Sequence, residues 1–124
     1  MDIQGHAGRR VLVVEDEAMI AMLVEDMLSD LGCAVVGPAH GLSEALELVR
    51  GPRALDAALL DVNLGGVPVF ALADELRAMG VPMIFSTGYG DAGLREVDRG
   101  APVLQKPFRS QDLARALTEA FGGP

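Results

Sequence analysis

The chain reads as an α/β domain built on a doubly wound, five-stranded parallel sheet of order 2-1-3-4-5, with five helices. Three observations carry that reading. Short apolar runs alternate with segments whose apolar residues recur at helical spacing. The runs at 11–14 and 57–60 are apolar throughout, as in strands buried on both faces. Both of those runs end on carboxylates, Glu15-Asp16-Glu17 and Asp61. The sheet rim at the carboxyl ends of the strands is where such folds place ligands.

Residues 1–9 form a polar, glycine-containing tail that is expected to be flexible. Val11-Leu12-Val13-Val14 is the first strand. Ile20, Leu23, Val24, Met27, Leu28 and Leu31 mark the first helix, with acids in its first turn and Gly32 as its terminator. Ala34-Val35-Val36 is a second strand, stopped by Gly37-Pro38. Ala45, Leu46 and Val49 mark a second helix that ends by Gly51-Pro52. Residues 57–60 form the third strand.

Pro68 suits the first turn of a third helix, with Val69, Leu72, Ala73 and Leu76 inward and Gly80 at its end. Residues 81–85 form the fourth strand and run into Ser86-Thr87-Gly88. Residues 91–99 make a weak helix anchored only by Leu94 and Val97. Pro102-Val103-Leu104-Gln105 is the fifth strand. Ser110 is the expected N-cap of a last helix with Leu113, Leu117, Ala120 and Phe121 inward. The domain is expected to span 10–121, with 122–124 as a short tail.

Composition narrows the function. A chain of 124 residues that is half apolar supports one domain with a real core. Its net charge of -8 argues against nucleic acid as a partner. No run of 18 apolar residues exists, so no membrane span is expected and the cytoplasm is the default location. The chain lacks paired histidines and a CxxC, which argues against zinc. Cys33 reads as a small buried hydrophobe, and His6 and His40 are expected to face solvent.

In the order 2-1-3-4-5 the first and third strands are neighbours, so Glu15, Asp16 and Asp61 meet at one rim. Three carboxylates repel, and a hard divalent cation such as Mg²⁺ resolves the repulsion with oxygen ligands. Asp16 and Asp61 would bind it directly, and Glu15 directly or through water. The backbone carbonyl of Asn63 could add another oxygen. Glu17 reads as a solvated helix cap. An aspartate can also attack phosphorus and form an acyl phosphate. That chemistry needs a cation and a hydroxyl for the phosphoryl oxygens. Lys106, the only lysine in the chain, and Thr87 stand at the ends of the fifth and fourth strands. Gly88 allows a ligand to approach the backbone closely.

The segments Val11-Leu12-Val13-Val14-Glu15-Asp16-Glu17, Leu59-Leu60-Asp61-Val62, Ser86-Thr87-Gly88 and Lys106-Pro107-Phe108 together resemble the receiver domain of bacterial two-component response regulators. The resemblance runs from about Arg10 to Phe121. It implies a flavodoxin-like receiver fold and a phosphoryl group passed to Asp61 from a sensor histidine kinase or a histidine phosphotransfer protein. Glu15 and Asp16 match the family's metal-binding acid pair, Thr87 its switch hydroxyl and Lys106 its phosphate-sensing lysine. It further implies a cis bond before Pro107.

Residues 85–90 are similar to the subgroup with a Phe-Ala-Thr-Gly-Tyr/Gly motif, with Ser86 in place of alanine. That subgroup is associated with histidine kinases of the HWE and related classes. Val103 occupies the position where most receivers carry a switching aromatic ring.

The resemblance thus implies a phosphoacceptor module that is not an enzyme toward other substrates, a monomer or weak dimer, and no output domain of its own. Three alternatives are a receiver-like binding domain independent of phosphate, a receiver from a hybrid kinase, and an aspartyl-phosphate hydrolase. The last normally carries a second aspartate where this chain has Asn63. Met22 and Ala18 fall on the outer face of the first helix, where an exposed methionine is a candidate kinase contact. Residues 91–99 are few in buried anchors and are expected to order when Asp61 is phosphorylated.

Overall fold

The computed structural model describes residues 6–88 and 93–122. Strands β1 (Arg10–Val14), β2 (Ala34–Ala39) and β3 (Ala57–Asp61) alternate with helices α1 (Ala18–Asp30) and α2 (Leu42–Arg50). A two-residue pair comes next, β4 (Asn63–Leu64) and β5 (Val67–Pro68), and then α3 (Phe70–Ala78) and β6 (Met83–Thr87). A 3₁₀ turn (Glu96–Asp98), β7 (Val103–Gln105) and α4 (Ser110–Ala120) complete the chain. The main sheet is parallel, in the order β2-β1-β3-β6-β7. Counting only its five strands, this is the expected order 2-1-3-4-5.

Side chains alternate across a strand, so each strand feeds two cores. Leu12, Val14, Ala58, Leu60 and Phe85 pack with Ala45 and Val49 of α2 and Leu72, Ala73 and Leu76 of α3. Val11, Val13, Ala57, Leu59 and Ile84 pack with Val24 and Leu28 of α1 and Leu113 and Leu117 of α4. Burial of each such leucine contributes roughly 1.5–3 kcal/mol. The register Val14↔Leu60 and Asp61↔Ser86 brings the carboxyl ends of β1, β3 and β6 level with one another.

Several local expectations are corrected. Strand β2 continues through Gly37 and Pro38, joined by a cis bond, with a break in register beside Leu12 and Val14. The acids at 15–17 precede α1 rather than occupying its first turn. Leu23 on α1 is 58% exposed, because Ala21, Val24 and Leu28 supply the buried stripe. Met22 is exposed as expected. Pro68 lies in the β4–β5 pair, not in a helix, and α3 starts at Phe70. The fourth main strand lies two residues later than expected. The Val81 amide still closes α3 through the Leu76 carbonyl, and the Pro82 carbonyl accepts from Ala58.

Ser110 is the first residue of α4, not its cap. The Arg109 amide donates to the Asp112 carboxylate at 2.9 Å, which anchors the start of that helix. The expected helix at 91–99 lies partly outside the described residues, since 89–92 are not among them. Residues 96–98 of that stretch form the 3₁₀ turn, so the described residues hold four α-helices rather than five. Gly93, at φ +92°, departs from helical geometry, and of the two expected apolar anchors Leu94 is buried while Val97 is exposed.

The tail is also corrected in part. His6 is fully buried, with Nε2 3.0 Å from the Thr118 hydroxyl and its ring tilted against Phe121. Its carbonyl accepts from the Cys33 thiol, which is buried as expected, and the Gly8 amide donates to Gly32. Arg9 lies over the Phe121 ring, 4.3 Å from its centroid. Residues 6–9 therefore strap the end of α4 to the α1–β2 turn. His6→Ala is expected to cost roughly 1–3 kcal/mol of stability, read as a lower urea midpoint. An unchanged midpoint would contradict the strap.

Candidate functional site

Four strand ends make the site. Strand β1 runs straight into Glu15 and Asp16, β3 ends on Asp61, β6 ends on Thr87, and β7 hands the chain to Lys106. Carboxylate oxygens of Glu15, Asp16 and Asp61 lie within 4.8 Å of one another. Glu15, Asp61 and Thr87 are buried, and Asp16 is half-buried. The expected convergence of the three acids is therefore present.

Lys106 enters this cluster. Its ammonium lies 2.7 Å from Glu15 Oε1 and 3.0 Å from Asp61 Oδ2. The bond before Pro107 is cis, as expected. The Lys106 amide donates to the Thr87 carbonyl at 2.9 Å, and that hydrogen bond fixes Lys106 beside Thr87. Fully ionised, three carboxylates and one ammonium leave two negative charges unbalanced, which matches the charge of a divalent cation.

The titration behaviour stems from burial. Burial lifts the Glu15 carboxyl from its ordinary value of 4.5 to about 7, against the hydrogen bond from Lys106. Burial also raises Asp61, opposed by the Lys106 ammonium and the Asn63 amide. For Lys106, burial acts downward, but hydrogen bonds to Glu15 and Asp61 outweigh it and the net shift is upward.

Asn63 is exposed, and its amide donates to Asp61 Oδ1 at 3.2 Å. Its side-chain oxygen accepts from Gly66 at 2.6 Å, which folds the β4–β5 turn beside the acids. Gly65 of that turn, at φ +61°, comes close enough that a Cβ would meet Asp16 Oδ2 at 3.6 Å. Glu17 is exposed, as expected for a cap, though its amide donates to Glu15 Oε2 at 3.1 Å.

Two features are not evident from the sequence. His40 is exposed as expected, but its Nδ1 donates to the Glu15 carbonyl at 3.1 Å and so helps hold that turn. The signal was topological: His40 comes directly after β2, and β2 neighbours β1. Ser86 is buried and paired in register with Asp61.

Comparison with known proteins agrees with this geometry. The family model of the response regulator receiver domain matches residues 11–118. The phyllosphere-induced regulator PhyR of Methylorubrum extorquens is 30% identical over 131 residues, covering 97% of this chain and 49% of PhyR. The chain spans between 49% and 58% of the length of the first curated relatives it matches. The solution structure of SdrG from Sphingomonas melonis Fr1 is 38% identical, with a TM-score of 0.81, covering 94% of this chain and 98% of SdrG. The receiver domain of the sensor histidine kinase PA1611 from Pseudomonas aeruginosa is 27% identical, with a TM-score of 0.77, covering 94% of this chain and 100% of that domain. Its crystal structure has a magnesium ion coordinated in the active site cleft. No helix among the described residues is long and apolar enough to cross a membrane. The fold, the rim of acids and the family match agree: this chain belongs to the response regulator receiver domains, the phosphoacceptor modules of two-component signalling.

Proposed function

We propose that Asp61 is the phosphoacceptor and that Glu15, Asp16 and Asp61, with the Asn63 carbonyl, hold Mg²⁺. The observation that carries this reading is the close set of three carboxylates with Lys106 bonded to two of them. The donor set fits the ion, since Mg²⁺ takes hard oxygen ligands and uses few protein groups. When bound, Mg²⁺ neutralises charge on the transferring group.

A carboxylate oxygen of Asp61 attacks phosphorus of a phosphohistidine. The O–P bond forms as the N–P bond breaks, and the histidine nitrogen keeps the electron pair. The Lys106 ammonium then moves its hydrogen bond from the Asp61 carboxylate to a phosphoryl oxygen, and the Thr87 hydroxyl donates another. The donor is a sensor histidine kinase, of the HWE or a related class, or a histidine phosphotransfer protein. Covalent chemistry is confined to phosphorylation and hydrolysis at Asp61.

With a small phosphodonor and Mg²⁺, intact-protein mass spectrometry is expected to show one added phosphoryl group, absent in Asp61→Asn. Comparable labelling of the variant would overturn the assignment. A second outcome concerns pH. The folded, metal-free protein keeps a proton on Glu15 that the unfolded chain releases near 4.5. The stability from that proton is complete below 4.5 and is lost as pH rises through about 7. Metal binds the ionised form, so apparent Mg²⁺ affinity should climb with pH between about 6 and 8. Glu15→Gln should weaken binding and flatten that climb in a titration series, and a flat wild-type profile would contradict the account.

A further inference from the structure

The three acids at the rim are not held alike. Lys106 reaches Glu15 at 2.7 Å and Asp61 at 3.0 Å. Backbone amides add to that hold, from Glu17 to Glu15 and from Asn63 to Asp61. Asp16 stands in the same cluster, yet among the described residues no cationic side chain pairs with it. It lies between β1 and α1, in neither a strand nor a helix. The backbone that carries Asp16 therefore decides where its carboxylate stands.

That backbone is gripped from the end of β2. The Glu15 amide donates to the Ala39 carbonyl at 2.9 Å, which extends the pairing of β1 with β2. At the next residue the His40 ring turns back, and its Nδ1 donates to the Glu15 carbonyl at 3.1 Å. A carbonyl only accepts, so that ring nitrogen carries a proton. His40 is fixed in turn, because its own amide donates at 2.9 Å to Oε1 of Glu44 in the first turn of α2.

We propose that His40 is a positioning residue for Mg²⁺: its Nδ1–H fixes the Glu15–Asp16 peptide plane and so aims Asp16, the acid that Lys106 does not reach. The inference rests on the reading of Glu15, Asp16 and Asp61 as a metal site. Peptide planarity makes the Glu15 carbonyl and the Asp16 amide turn as one unit. A donor on that carbonyl thus limits where the Asp16 carboxylate can go. Without the imidazole the carbonyl turns to water, and the bend gains arrangements in which Asp16 points away from the cluster. Mg²⁺ demands near-ideal octahedral geometry, so a ligand that must first be ordered binds it less tightly. The His40 side chain is exposed, so its replacement opens no cavity in the core.

Mg²⁺ is titrated at about pH 8, where Glu15 is ionised, into wild type, His40→Ala, His40→Phe and His40→Asn, and followed by ¹⁵N–¹H NMR. Phenylalanine keeps a ring but has no donor. Asparagine places an amide N–H one bond past Cγ, where Nδ1 stands in histidine. His40→Ala and His40→Phe are expected to bind Mg²⁺ roughly tenfold more weakly than wild type, and His40→Asn within about threefold of it. A residue that is only structural would lower the melting temperature and leave Mg²⁺ affinity as in wild type, and that result overturns the proposal. A loss in His40→Asn as large as in His40→Ala overturns it too, since the donor would then not be what matters. Failure of wild type to bind Mg²⁺ overturns the metal reading and the role of His40 with it.

Discussion

The Lys106 ammonium between Glu15 and Asp61 is the interaction on which the site depends. Two buried carboxylates beside a third would repel one another at the sheet rim. One lysine offsets part of that charge and leaves a deficit suited to a dication. Its position is secured by backbone: β7 pairs with β6, and the Lys106 amide bonds to Thr87. The parallel sheet is therefore the device that sets charge spacing, because each strand end delivers one chemical group to the same rim.

This arrangement is largely legible in the sequence, for a physical reason. Strands buried on both faces are near-continuous apolar runs, so a charged residue at the end of one is conspicuous. Val11–Val14 before Glu15, and 57–60 before Asp61, announce both the sheet and the rim. The less legible features depend on tertiary contacts. Leu23 satisfies the helical period as well as Leu28 does, yet it lies outside because Ala21 and Val24 fit the sheet more closely. His6 looks like part of a polar tail until Phe121 and Thr118 close over it. Asp98 reads as one more surface acid, and only the fold brings Arg77 of α3 to it.

Residues 93–100 show a conflict between local preference and packing. Gly93 sits at positive φ and Gly100 lies just past the 3₁₀ turn, so a regular helix has little local support there. Leu94 supplies one apolar anchor, and the remaining hold comes from charge. Charge pairs at a partly exposed surface are weaker than a packed helix face. Residues 93–98 are thus held by one buried side chain and a set of ion pairs. Val103, packed partly buried against the core on α3's side of the sheet, brings no aromatic ring to this region.

The most direct test of the central claim is the response of backbone amides to Mg²⁺, monitored by ¹⁵N–¹H NMR. Amides of residues 15–17, 61–63 and 106 are expected to shift together along one saturable curve, and Asp16→Asn is expected to weaken that curve. Shifts confined to other parts of the chain, or none at all, would contradict the account of a metal held at the joined ends of β1 and β3.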